Sequence, residues 1–343
     1  RLAHAIGMDP IELRRRNIYR EGSIEPTQQP LPPGVSALPV LERCVAEAQS
    51  RFGGLTLAGV PNATRPWGEV ENAVVRVGAA DVGQGSHLAL RQIASEVLGL
   101  PLSRIDMITD DSSEAPNAGS ASASRLTLMA GRAVHDAAAK ALEQYRASDD
   151  ERVEATVQFR PAATTMLSED DGSGIPNYCY GYAAQAVEVE VNTLTGQVRV
   201  THVISVHDVG RAVNMQQVEG QIEGCLAQAV GYALLEELKT RDGIILTPHL
   251  STYLLPTALD MPEEIVPVVL ELADQQGPFG ARGVAEMPLV PFLPAVASAI
   301  HDAIGVWLTE QPFTPERVLT SLSAPHTRSL GIDRSRPGKR VLA

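Results

Sequence analysis

Residues 187–206 read VEVEVNTLTGQVRVTHVISV. Up to Val191 valines alternate with Glu188 and Glu190, and Val198, Val200, His202, Ile204 and Val206 alternate again beyond it. A period of two marks strands with one buried face, and the turn Asn192 to Gly196 between them predicts a β-hairpin. Downstream, Val218, Ile222, Leu226, Ala229 and Ala233 fall at helical spacing, and Ile265 to Leu272 reads as a further strand. Strands alternating with amphipathic helices call for sheets covered by helices, an α/β (α+β) fold.

Toward the N-terminus the same grammar recurs. Val75, Val77 and Ala79 form a strand pattern ending in Asp81-Val82-Gly83-Gln84-Gly85, with Ser86 placed to cap a helix. That helix carries Leu90, Ile93, Ala94 and Val97 on one face and stops at Gly99. Ile105 to Thr109 is a strand, and a helix follows from Thr127 to Tyr145. Arg1 to Tyr19 is helical but broken near Gly7 and Pro10; a Pro-rich linker and a helix from Val40 to Arg51 come next. One more strand is expected between the charged stretches 147–152 and 169–176. Helices are expected at Pro294 to Ile304 and Pro315 to Leu322, with a mobile tail from Ser323. The expected organisation is N-terminal helices and linker over 1–55 and two mixed-sheet α/β units over 56–160 and 161–343.

Lys plus Arg number 28 against 41 Asp plus Glu, a net charge of -13 with no basic patch, which argues against a nucleic-acid partner. No apolar run approaches the roughly 20 residues that span a bilayer, so no membrane role is expected. Cys44, Cys179 and Cys225 fit neither a disulfide framework nor a CxxC site, which points to reducing, cytoplasmic surroundings. An iron–sulfur cluster would want four cysteine ligands, so such a centre must sit elsewhere. The chain opens at Arg1 inside a helical pattern and reads as a piece of a longer polypeptide. No HxxxH pair, GxSxG elbow or Walker A loop is present.

Loops leading from a strand to a helix present backbone N–H groups and the positive end of a helix dipole, which suits an anionic ligand. Gly83-Gln84-Gly85 is one such loop, or a simple tight turn. Gly119 to Arg125, with Ser122, Ala123 and Ser124, is a second, or a surface loop. Gly220-Gln221 with Gly224 is a third: helix-interior glycines cost about 1 kcal/mol each and imply a close approach, by a ligand or by a neighbouring sheet. The last is Gly277-Pro278-Phe279-Gly280-Ala281-Arg282-Gly283-Val284-Ala285-Glu286-Met287-Pro288, whose only ionisable side chains are Arg282 and Glu286. A carboxylate among glycines and apolar groups can serve as a general base, or it can pair with Arg282.

In this order these segments, together with Gly7 to Arg14, Asp208-Val209-Gly210-Arg211 and Ile300-His301-Asp302-Ala303-Ile304-Gly305, resemble the molybdenum hydroxylases. Those are the xanthine dehydrogenases, aldehyde oxidases and related N-heterocycle hydroxylases, and the match is to the C-terminal half of their molybdopterin-binding subunit. The resemblance implies hydroxylation of a purine, N-heterocycle or aldehyde with water-derived oxygen. It makes Glu286 the base that activates a metal-bound hydroxyl, and gives cofactor contacts to Gly83, Gln84, Gly85, Ser122, Ala123, Ser124, Gln221 and Gly283. It also implies molybdenum held by molybdopterin alone, in plain or cytosine-dinucleotide form. The implied partners are 2Fe-2S clusters and FAD on other domains or subunits and the subunit's N-terminal half, in a hetero-oligomer. Ala285 stands where the family commonly has glycine, Arg282 where lysine is common, and Cys225 where glycine is usual. A non-catalytic scaffold that keeps the fold and the subunit contacts is the competing reading.

Overall fold

The computed structural model describes residues 2–51, 70–323 and 341–342; the expected boundary at 55/56 and most of the expected tail lie outside them. Helices α1 (Leu2–Ala5) and α2 (Pro10–Asn17) open the chain, with the Asp9 side chain accepting from the Glu12 N–H and Pro10 in the first turn. Helix α3 (Ala37–Arg51) follows.

The first unit is a parallel crossover. Strands β1 (Ala73–Arg76) and β2 (Ile105–Ile108) pair in parallel, joined by α4 (Ser86–Leu98), and α5 (Leu126–Ala147) packs on α4. Leu90, Ile93 and Ala94 are buried against Ile105, Leu126 and Ala130. Gly99, left-handed at φ 66°, stops α4 where its spacing predicts. Ser86 does not cap α4: Gly85 holds the cap position, and the Ser86 hydroxyl donates to the Ala80 carbonyl.

In the second unit β3 (Tyr182–Val191) and β4 (Val198–Asp208) form the expected hairpin, longer than its valine pattern. After α6 (Met215–Leu234) comes a minimal hairpin of β5 (Thr240–Arg241) and β6 (Ile244–Ile245). Strand β7 (Glu264–Leu270) then joins β4 in parallel; α7 (Leu289–Ile304) and α8 (Pro315–Ser323) follow, and β8 (Val341–Leu342) edges β3. The mixed sheet has the order β7-β4-β3-β8. Val187, Val203, Ile222, Leu226, Phe292 and Ile300 bury one of its faces under α6 and α7. Val40 and Cys44 of α3 cover the other face, over Ile204, Val206 and Val266.

The structure departs from the sequence reading in particular places. The strand expected between 152 and 169 is not formed: residues 153–168 have no ladder partner among the described residues. Helix α7 begins at Leu289, before the expected Pro294, which lies inside it. The strict alternation read along β4 fails at Thr201, where Glu188 pairs with His202 but Val189 with Val200. That bulge shifts the period by one residue. Val198 and Val200 therefore face α6 and α7 together with Val203, while Ile204 and Val206 turn to α3.

Candidate functional site

A cleft of about 260 Å³ opens between the two units, lined from residues 82–89, 121–127, 209–221 and 281–286. Gln84, Gly85, Ser124, Gln221, Gly283 and Glu286 lie on its walls. Gly83, Ser122 and Ala123 stand just outside the lining, on the same loops.

The Glu286 segment is held from several sides. Its backbone N–H donates to Ser124 Oγ at 2.9 Å, and the Arg282 N–H donates to the Val209 carbonyl at 2.7 Å. Ser124 reaches this place because Ala123 and Ser124 both adopt left-handed backbone, at φ 54° and 49°. A Cβ on Gly283 would sit 1.9 Å from the Ser124 carbonyl oxygen, so only glycine permits that approach. Behind the segment, Gly181 leaves room for the Met287 side chain, and Gln185 Nε2 donates to the Pro288 carbonyl at 2.8 Å.

Arg282 is not the partner of Glu286. Its buried guanidinium lies 3.0 Å from Asp274 and 3.4 Å from Asp208, and it donates to the carbonyls of Tyr180 and Gly34. The 3.4 Å approach to Asp208 is Coulombic, without hydrogen-bond alignment. Among the described residues the Glu286 carboxylate has no ion-pair partner and is exposed at the cleft rather than buried among apolar groups. Its charge is felt by Cys225, whose thiol pKa is raised first by burial and then by Glu286, against a hydrogen bond from the Leu289 backbone.

The glycine loop is arranged differently from its reading as an anion cradle. Asp81 accepts the backbone N–H groups of Gly83, Gly85 and His87 at 2.9, 3.2 and 3.0 Å. Burial opposes the ionised Asp81, but these bonds outweigh it and hold its pKa below the usual carboxylate value. The start of α4 is thus neutralised from within. The Gln84 amide is also engaged inside the loop, donating to Ala80 and Ser86 and accepting from the Val82 N–H.

Other donors remain open to the cleft. Helix α5 begins at Leu126 without a side-chain cap, and Leu126 and Thr127 line the wall. Among the described residues the Gln221 amide has no hydrogen-bond partner, and Gln217, one turn earlier, lies against Gly85. A Cβ on Gly220 or Gly224 would meet nothing within 4 Å, so packing on the sheet does not account for these glycines. Sequence reading quoted Arg125 and Arg211 within motifs without giving them a role, and missed Asn214 and Gln217; all four line the cleft. The i, i+4 spacing of Gln217 and Gln221 was a usable signal. Among the described residues no group of three or more His, Cys, Asp or Glu is placed to hold a metal ion.

No helix among the described residues is long and apolar enough to cross a membrane. The family model for the molybdopterin cofactor-binding domain matches residues 32–262. A probable xanthine dehydrogenase subunit from Bacillus subtilis is 28% identical, covering 94% of this chain and 50% of its own length. An aldehyde oxidoreductase of Megalodesulfovibrio gigas is 31% identical, covering 94% of the chain and 39% of its own length. The solved aldehyde oxidoreductase from Desulfovibrio gigas superposes with a TM-score of 0.79 at 26% identity, over 94% of this chain and 39% of that one. The chain thus spans half or less of the length of these relatives.

Proposed function

The chain belongs to the molybdopterin cofactor-binding domain family, and from that premise we propose that it is the C-terminal part of the molybdenum subunit of a hydroxylase of the xanthine dehydrogenase or aldehyde oxidase type. The proposed reaction inserts water-derived oxygen at an electron-poor carbon of a purine, N-heterocycle or aldehyde. The observation that carries this reading is one cleft shared by an uncapped helix start, a Gln221 amide and a Glu286 carboxylate, the last two without partners among the described residues.

A flat, anionic, hydrogen-bonding cofactor fits these walls. Gln221 can bond a polar edge, and the first N–H groups of α5 can meet negative charge. Gly83, Gln84 and Gly85 on one side and Ser122, Ala123 and Ser124 on the other would border it, with Gly283 bringing the Glu286 segment close. When bound, molybdenum-molybdopterin, plain or as the cytosine dinucleotide, supplies two-electron redox chemistry. Glu286 accepts the proton of the oxygen nucleophile at a carboxylate oxygen, and Ser124 fixes the backbone that carries it.

The same reading places the electron outlet, 2Fe-2S clusters and FAD, on other domains or subunits, and closes the open cleft with the remaining part of the molybdenum subunit, in a cytoplasmic hetero-oligomer. It divides the chain into helices and linker over 1–55, a cofactor-binding unit over 56–160 and the glutamate-bearing unit over 161–343. The test is metal and pterin analysis of the assembled complex together with its reduction by candidate substrates. Near-stoichiometric molybdenum with substrate-dependent bleaching supports the proposal. Complete absence of metal after assembly with a cofactor supply would replace it with the non-catalytic scaffold.

A further inference from the structure

The sheet face beneath α6 and α7 is valine-rich, yet it also carries Gln185, Ser205 and His207. Gln185 stands opposite Ser205 in the β3–β4 register, and the bulge at Thr201 puts Ser205 and His207 on this face with Val203. Ser205 and His207 are fully buried. Gln185 Nε2 lies 2.8 Å from Ser205 Oγ and 2.8 Å from the Pro288 carbonyl, so both amide hydrogens are committed. A flipped amide would set oxygen against the Pro288 carbonyl, which fixes its orientation. Ser205 Oγ accepts from Gln185 and also lies within hydrogen-bond distance of His207 Nε2, at 2.7 Å, while His207 Nδ1 and Gln185 Oε1 are buried without a partner among the described residues. Burial pushes the His207 pKa down to about 4, which keeps the ring neutral.

We propose that Gln185 is a positioning residue for Glu286, holding the Pro288 carbonyl so that the segment from Gly283 to Pro288 presents its carboxylate at one place in the cleft. The inference rests on the assignment of Glu286 as the base. Buried polar groups in an aliphatic face cost desolvation, and apolar side chains of the same shape would pack there at least as stably. What the polar relay adds is a directional bond to a single carbonyl two residues beyond Glu286. Ser124 holds the Glu286 N–H from the first unit, and Gln185 holds the Pro288 carbonyl from the sheet. The carboxylate-bearing residue is pinned between these anchors.

The test is Gln185→Met and Ser205→Ala in the assembled, metal-loaded complex. Methionine keeps the length of the side chain and removes both donors. Turnover per molybdenum is expected to fall about tenfold with KM within about twofold, the signature of a misplaced reacting group. Amide exchange of the peptide spanning 283–290 is expected to rise about tenfold while that of β3 and β4 is unchanged. Ser205→Ala, which leaves the bond to Pro288 but loosens its donor, is expected to shift both readouts about threefold and serves if the methionine variant does not assemble. Faster exchange with unchanged turnover per molybdenum would overturn the proposal, as would lost turnover that merely tracks lost metal. Wild-type behaviour of Ser205→Ala on both readouts would overturn it too. A fully active Glu286→Gln would instead refute the base itself, whatever the exchange shows.

Discussion

Ser124 and Glu286, separated by 162 positions in sequence, are joined by a 2.9 Å hydrogen bond from the Glu286 backbone N–H to the Ser124 hydroxyl. The bond ties the loop before α5 to the loop before α7, one from each unit. Ser124→Ala removes the acceptor without relieving the left-handed backbone. The chemical step is expected to slow by about three- to tenfold, in line with about 1 kcal/mol for one hydrogen bond. Single-turnover reduction by substrate is the measurement, and an unchanged rate would mean the loop is held by its other contacts alone.

Glu286→Gln retains shape and hydrogen bonding but cannot take a proton. The chemical step is expected to slow by about 10² to 10⁴-fold with metal content little changed. Stopped-flow reduction by substrate, with molybdenum measured on the same sample, checks this. A rate within about threefold of wild type at full occupancy would remove Glu286 from the mechanism.

Two glycines should respond in opposite ways. Gly283→Ala drives a methyl group to 1.9 Å from the Ser124 carbonyl oxygen, a backbone atom that cannot yield cheaply. A loss of about 1–3 kcal/mol is expected in denaturant unfolding. Gly220→Ala meets nothing within 4 Å in an α-helix, so the protein should gain about 1 kcal/mol. A loss of stability in Gly220→Ala would show that the site is not open.

Arg282→Ala would strand the buried carboxylates of Asp208 and Asp274, which then keep only backbone N–H donors. A loss of about 3–5 kcal/mol is expected. Arg282→Lys preserves the charge but not the planar fork that also reaches the Tyr180 and Gly34 carbonyls, and should recover only part of it. Denaturant midpoints of the three proteins decide the order.

His207 is buried neutral, with a pKa lowered to about 4 from an ordinary 6.5. Below 6.5 the unfolded chain binds a proton that the folded one does not, so stability falls as pH drops from about 6.5 to 4 and levels off once both forms are protonated. The full effect is about 3 kcal/mol. His207→Gln should flatten this limb of the stability profile; an unchanged limb would assign it to the carboxylates.

Much of the architecture follows from short-range rules legible in the chain. The valine alternation around Asn192 to Gly196 marks a hairpin, the face of Leu90, Ile93 and Ala94 ending at Gly99 marks α4, and the Val218 to Ala233 spacing marks α6, because period and cap chemistry act within a few residues. Residues 153–168 misled because a strand needs a partner, and pairing is not encoded in the segment itself.

The site divides along the same line. Sequence alone determined which residue types stand ready: a carboxylate between glycines, glutamines and glycines on one helix, hydroxyls in a small-residue loop. Tertiary structure decided how they are used. It gave Arg282 to Asp208 and Asp274 and left Glu286 without an ion-pair partner among the described residues. It let Asp81 take the N–H groups of the Gly83 and Gly85 loop, and through the Thr201 bulge it turned Ser205 and His207 toward Gln185. Partner choice for a charge or a hydrogen-bonding group depends on distances of a few ångströms between segments far apart in the chain. Those distances exist only once the sheet, its bulge and the covering helices have packed.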